Sequence, residues 1–361
     1  MRRKNLTILI LIILVTIVGC KPTAGQEEIV MDMEANDFNP TLRDYFPFME
    51  NTIYKYEGIG NEFAEMEAYF EYIEGNKAQL KIKTPATNFV RVLEHKEGIL
   101  KEVYFEGEFY HVENMLGHME EQDNIVLKEP IEVGNSWTTA NGYKRSISGI
   151  EVEVETPLKT FKALEVTTEL GDGRLQKHYY AKDVGLVASI YEDGEHVVKS
   201  LLKSIENGSM ELNLKTFYPL LPDMEAVYVE DTIDFYTNGR IEGLLEEILK
   251  NPPDDDLIAV IPAATTINYI KLDRSNWSVK VDFSQDFIRE MNAGSGLEGE
   301  ILRCIANTLG HFYDVERIYI TVDEKPYQSG HYAFEADEFI RVDMEGIVEY
   351  EKNSSKKISS S

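Results

Sequence analysis

The sequence predicts an α+β protein in two folded parts, an antiparallel β-rich domain over 45–206 and a smaller α/β domain over 213–350. Three observations predict it. From Tyr45 to about Ile205 apolar residues recur with period two, the repeat of strands with one buried and one wet face. Asn207-Gly208-Ser209 interrupts that repeat. Beyond it, helical spacing replaces strand spacing twice, over 240–250 and from Gly296 onward, with short apolar strands between.

Ahead of the folded parts, Arg2, Arg3 and Lys4 precede a nearly unbroken apolar run from Leu6 to Val18, closed by Gly19-Cys20. The run is shorter than the ~20 apolar residues of a spanning helix and has the charged-then-apolar order of an export signal. Its small residue before cysteine resembles the lipobox of bacterial lipoproteins. That resemblance implies cleavage before Cys20 and lipidation of Cys20, so 1–20 is expected as a lipoprotein signal peptide. The rest is expected on the extracytoplasmic face of the cell membrane. An acylated Cys20 cannot form a disulfide, which leaves Cys304 alone and the fold dependent on its core. The stretch 21–44 has no sustained periodicity and is expected as a flexible tether; the Ser- and Lys-rich 351–361 is expected as a disordered tail.

The 36 basic and 64 acidic residues give a net charge of −28, and losing Arg2, Arg3 and Lys4 with the signal takes −28 to −31. Such a surface repels nucleic acid and anionic headgroups. No polybasic run follows Cys20, so the lipid would hold the membrane without an electrostatic second signal.

In the β-rich part, Ala64, Met66, Ala68, Phe70 and Tyr72 share one parity, and Glu65, Glu67 and Glu71 the other. Gly75-Asn76 supplies a hairpin turn, and the return strand puts Ala78, Leu80 and Ile82 opposite Lys77, Lys81 and Lys83. Ile150, Val152 and Val154 alternate with Glu151, Glu153 and Glu155 before Pro157 breaks the strand. Phe161–Leu170, a turn at Gly171-Asp172-Gly173, Gln176–Ala181 and Leu186–Tyr191 continue the pattern. Close-spaced short strands predict an antiparallel sheet, curved or closed into a sandwich. The glutamate ladders read as solvated strand faces, because alternate glutamates stand apart and do not converge on one ion. The aromatic alternation at Tyr54, Tyr56, Phe70 and Tyr72 reads as core. The runs from Lys128 to Trp137 and from Tyr179 to Val187 resemble a β-rich domain of bacterial surface lipoproteins, which implies an antiparallel β-fold and no reaction.

In the second part, Thr216–Leu220 and Ala226–Tyr236 read as strands, and Ile241, Leu244, Leu245 and Ile248 as one face of a helix stopped by Pro252-Pro253. Thr266–Leu272 and Val279–Phe283 read as a hairpin, and Leu297, Ile301, Ile305 and Phe312 as the stripe of a second helix. Arg317–Val322 ends the series. The ordered set Leu244-Leu245, Asn251-Pro252, Ile261-Pro262, Thr265-Thr266, Val279 to Ser284, Phe287, Gly296, Glu298, Ile305 to Leu309 and Val315 to Asp323 resembles the GerMN, or Germane, domain of sporulation and spore germination. Asn251 and Glu324 stand where that family usually has glycine. The resemblance implies a small α/β domain with a role in assembly or binding, in a spore-forming, Gram-positive cell.

No catalytic arrangement competes with this. The histidines at 95, 111, 118, 178, 196, 311 and 331 form no HxH or HxxxH pair, and no nucleophile elbow, Walker loop or dinucleotide fingerprint occurs. Asp254-Asp255-Asp256 lacks the spacing of a calcium loop, and Cys304 falls beside the apolar stripe of the second helix as a small core residue. The chain is therefore expected to be no enzyme and to use no metal or cofactor. Its expected partners are the membrane, through lipid on Cys20, and its own copies or envelope proteins. The alternative is an envelope ligand-binding lipoprotein with a groove in the β domain.

Overall fold

The computed structural model describes residues 40–118 and 124–351, all within one compact unit. Cys20 and the rest of 1–39 lie outside the described residues, as do 352–361. The end of the stretch expected as tether is folded. Thr41 N and Oγ1 donate to Asp44 Oδ2 at 2.7 and 3.0 Å and start the one-turn helix α1 (Leu42–Tyr45), whose Leu42 and Tyr45 are buried.

Twelve strands follow in one sheet. They are β1 (Thr52–Ile59), β2 (Met66–Glu74), β3 (Lys77–Lys83), β4 (Asn88–Lys96), β5 (Ile99–Gly107) and β6 (Asn124–Lys128). Then come β7 (Ser136–Thr138), β8 (Lys144–Glu155), β9 (Thr160–Gly171), β10 (Arg174–Ala181), β11 (Gly185–Asp193) and β12 (His196–Asn207). The order β6-β5-β4-β3-β2-β1-β12-β11-β10-β9-β8-β7 joins two antiparallel meanders through the β1–β12 pair. Turn chemistry fixes the hairpins. Gly75-Asn76 and Gly194-Glu195 carry glycine at φ 60° in the first turn position; Glu97-Gly98 and Asp172-Gly173 are left-handed at both positions. Both patterns twist with the strands they join.

The sheet rolls up on itself and does not split into the two layers of a sandwich. Bulges at Lys55/Tyr56, Phe70/Tyr72, Leu100/Lys101, Gly149/Val152 and Tyr179/Tyr180 add twist and bend in strands all round it. Its two ends, β6 and β7, meet through side chains. Trp137 Nε1 and Arg145 Nη1 donate to Ile125 O at 3.0 and 2.7 Å, and Asn135 Nδ2 to Lys128 O and Pro130 O at 2.9 and 2.7 Å. Carbonyls of an edge strand are thereby satisfied without a ladder. Tyr54, Phe70, Leu80, Leu93, Val166 and Tyr180 fill the inside of the roll.

The second half opens with a hairpin of β13 (Met210–Leu220) and β14 (Glu225–Phe235), followed by α2 (Ile241–Lys250). A second hairpin, β15 (Ile267–Asp273) and β16 (Ser278–Phe283), leads through α3 (Asp286–Arg289) and α4 (Ser295–Tyr313) to β17 (Arg317–Val322), which pairs parallel with β16. Short strands β18 (Lys325–Pro326) and β19 (Ile340–Arg341) flank β17, and β20 (Val348–Glu349) adds to β14. α4 packs against β13 and β17, with Cys304, Ile305, Ala306 and Leu309 buried. Gly310 lies so close to Val315 O that a Cβ there would stand 2.8 Å from it, so glycine is required. The described structure is thus mostly β, with its longer helices confined to the second half.

One core crosses the change of sheet at 207–210. Tyr69, Tyr72, Val90, Val92 and Val103, on the outer face of the roll, cluster with Phe235, Leu245, Val281, Ile305 and Tyr313 of the second half. Strands β2 to β5 are consequently buried on both faces. Of the Glu and Lys residues expected in water there, Glu71 and Lys81 are covered, 0% and 1% exposed, while Glu65 stays exposed and Glu67, Lys77 and Lys83 are half-buried.

Candidate functional site

Two polar constructions stand out, a seam between the halves and a cavity inside the roll. The seam is organised by the long connection after β5, which lies across β3 and brings Phe109, Val112 and Met115 into the shared core. A buried loop needs partners for its backbone. Gln79 and Lys81 of β3 supply them: Lys81 Nζ donates to His111 O at 2.5 Å, Gln79 Nε2 to Glu113 O at 2.9 Å, and Met115 N to Gln79 Oε1 at 2.7 Å. Glu71 holds both donors in place, 2.8 Å from Lys81 Nζ and 2.6 Å from Gln79 Nε2.

The loop then meets the second half. Arg274, in the β15–β16 turn, reaches Glu113 at 2.7 Å and Glu106 at 3.1 Å, while the His111 ring stands 5.1 Å from that of Tyr313. Burial alone would raise the Glu113 carboxyl, but hydrogen bonds from His111 and Arg274 hold it below the usual range. A second strap crosses at the β2 bulge. Thr237 Oγ1 donates to Phe70 O at 2.8 Å, Asn238 N to Glu71 O at 2.8 Å, and Ile73 N to Asn238 Oδ1 at 2.8 Å, which pairs three backbone groups at the bulge.

The cavity, of about 90 Å³, lies inside the roll. Its wall is aromatic and aliphatic, with Phe46, Tyr54, Phe70, Leu80, Ile82 and Val166 among its residues, and three basic side chains join it: Arg91, Arg145 and His178. Arg91 is paired with Glu102, which also accepts from Asn124 at 2.8 Å. Arg145 donates Nε to Thr168 Oγ1 at 2.8 Å and Nη1 to Ile125 O, and no carboxylate pairs with it among the described residues. Burial, helped by the charges of Arg145 and Arg91, pushes His178 down to about 3, so the imidazole is neutral at pH 7. Burial raises the phenols of Tyr180 and Tyr54, the latter to about 12. Phe46 and Pro47 close one side of the cavity. Their segment is held by Asp183 N on Asp44 O at 2.7 Å and His95 Nε2 on Phe46 O at 2.9 Å.

The other residues singled out in the sequence have local roles. Asp254 begins a turn, accepting from Asp256 N and Leu257 N. Cys304 is buried, which pushes its thiol well above the usual range. Among the described residues no three His, Cys, Asp or Glu side chains are grouped to hold a metal ion, and no helix is long and apolar enough to cross a membrane. Glu298 is buried and accepts from Tyr327 at 2.7 Å beside His331 Nδ1 at 2.6 Å. The seam loop and Arg145 were not singled out by sequence; the one sign of them was a run of aromatic and histidine residues between strand patterns.

The ordered motif of the second half is its skeleton. Asp282 accepts from Thr321 Oγ1 at 2.6 Å and Glu324 N at 2.7 Å, Ser284 Oγ from Thr266 N at 3.0 Å, and Thr308 Oγ1 from Phe217 N at 3.1 Å. Asn251 sits at φ −120°, where glycine is not needed, and its Nδ2 caps Glu247 O at 2.8 Å. Glu324, at φ 65°, is in the region that favours glycine.

The architecture defines a class: a rolled antiparallel sheet fused to a small α/β module of hairpin, helices and parallel return strand. Within it, residues 215–328 match the model of the Germane family, described as "Sporulation and spore germination". Among solved structures, the first GerMN domain of the sporulation protein GerM from Bacillus subtilis is similar at 16% identity, covering 36% of this chain and 97% of that one, with a TM-score of 0.28. A candidate lipoprotein from Parabacteroides distasonis is similar at 13% identity over 45% of this chain and 98% of that one, with a TM-score of 0.28. One from Clostridium perfringens is similar at 16% identity over 37% and 94%, with a TM-score of 0.23. No curated protein matches the chain.

Proposed function

We propose that this chain is a non-enzymatic lipoprotein, anchored through lipid on Cys20 at the extracytoplasmic face of the membrane, whose rolled sheet presents the Germane domain for association with its own copies or with envelope proteins. The sporulation setting is carried by the Germane match at 215–328. The observation that supports a presenting role is the seam: Arg274, Thr237 and Asn238 tie the domain to the roll, and a shared core lies behind them. A domain so fixed keeps one orientation relative to its carrier, which is what repeated assembly contacts require.

Light scattering of residues 21–361 over a concentration series tests the association. A reversible, concentration-dependent oligomer is expected; a strict monomer that also cross-links to no envelope protein in cells contradicts the proposal. The anchor is tested separately: Cys20→Ser is expected to abolish lipidation, and a Cys20→Ser form that stays in the membrane with its signal removed contradicts the anchor.

A further inference from the structure

The cavity inside the rolled sheet has a composition that the seam does not share. Nineteen residues line it, and their ionisable side chains other than tyrosines are Arg91, Arg145 and His178, with no carboxylate among them. In a chain of net charge −28, a lining with two arginines and no acid is a marked segregation of charge. Glu102 offsets Arg91. Among the described residues Arg145 bonds a hydroxyl and a carbonyl and is in ion-pair contact with no carboxylate, Glu102 acting on it only through space. A guanidinium held against an apolar cavity with neutral partners keeps its charge available to an anion.

We propose that the interior of the roll binds a small amphiphile with one negative headgroup, a carboxylate or like anion, with the headgroup on Arg145 and the apolar part against Phe70, Leu80, Ile82 and Val166. The cavity of about 90 Å³ is smaller than the ~150 Å³ of an engineered apolar cavity that takes benzene. A chain of several carbons therefore enters with displacement of Phe46 and Pro47, which close one side of the cavity. Neutral His178 adds a ring partner to the headgroup without adding a second charge. This site depends neither on Cys20 nor on the Germane domain, so it stands or falls apart from the association proposed above.

The test is calorimetric titration of residues 21–361 with octanoate, octanol and octylamine, which share a chain and differ in headgroup. Octanoate is expected to bind about tenfold more tightly than octanol, the worth of one charge-assisted contact, and octylamine not at all. Equal affinity for octanoate and octanol overturns the role of Arg145, and absence of octanoate binding overturns the site. Ala68→Leu, which narrows the cavity from its wall, is expected to abolish octanoate binding with the circular dichroism spectrum unchanged. Unchanged binding in A68L places the ligand outside the roll and contradicts the proposal. Arg145→Met is expected to reduce octanoate affinity to that of octanol.

Discussion

Arg274 and Arg145 occupy the seam and the cavity wall, and their partners differ. Arg274 is surrounded by Glu106 and Glu113 and joins two halves of the molecule. Arg145 places two of its nitrogens on a threonine hydroxyl and a backbone carbonyl, closing the roll with no carboxylate in ion-pair contact among the described residues. The seam is a densely paired network, in which Glu71, Gln79, Lys81, Glu106, Glu113 and Arg274 meet groups of opposite charge or backbone carbonyls, and it works as structure. The cavity is unsaturated in charge and apolar elsewhere, the arrangement expected where something else completes the set.

The largest effect that sharpens this contrast is expected from Lys81→Met. It leaves Glu71 buried without its counterion and strips a donor from His111 O, and should cost about 3–5 kcal/mol in urea unfolding. The paired replacement Glu71→Leu with Lys81→Met should recover much of that, because the buried charges leave together. Arg274→Ala should cost about 2 kcal/mol, from the loss of charged hydrogen bonds at a partly exposed site. Arg145→Met should cost no more than about 1 kcal/mol, since removing an unmatched buried charge offsets the lost bonds. Equal losses at the two arginines would break the comparison.

Acid should act on both regions. His178 is near 3 in the folded chain against 6.5 unfolded, so between those values the unfolded chain binds the extra proton. Its contribution is complete above pH 6.5 and is lost as pH falls toward 3, with a slope of at most ~1.4 kcal/mol per pH unit. His178→Gln should flatten the dependence of urea midpoint on pH in that window. At the seam, the lowered Glu113 contributes above its unfolded 4.5 and is lost as pH falls through its folded value.

Two smaller expectations concern single positions. Glu324→Gly, at a left-handed turn, should stabilise by about 1 kcal/mol in thermal unfolding. Glu153→Ala, on the exposed ladder of β8, should change stability by less than about 0.5 kcal/mol; a larger loss would show that this face is covered in solution.

Much of the framework was legible in sequence because its causes are local. The turns at Gly75-Asn76 and Asp172-Gly173 need residues that tolerate positive φ, the break at Asn207-Gly208-Ser209 falls where β12 ends, and the helix over 240–250 announces itself by spacing and by Pro252-Pro253. The two faces of β3 were separable by parity, but parity cannot say what lies over each face. Lys81 therefore read as solvated, although the loop after β5 and the second half lie above it. Bulges misled in the same way: Ile150 is exposed because the register shifts between Gly149 and Val152. Arg145 looked like one strand charge among many, since its neutral partners on β6 and β9 are set by the rolling of the sheet.

The most direct test of the seam uses Trp137, buried in the roll, as a reporter in a Trp277→Phe background. Urea unfolding would be followed by its fluorescence and, in the same samples, by hydrogen exchange of the α4 amides in the second half. Coincident midpoints are expected if the seam makes the two halves one cooperative unit. Opening of α4 at urea concentrations that leave Trp137 unchanged would contradict it.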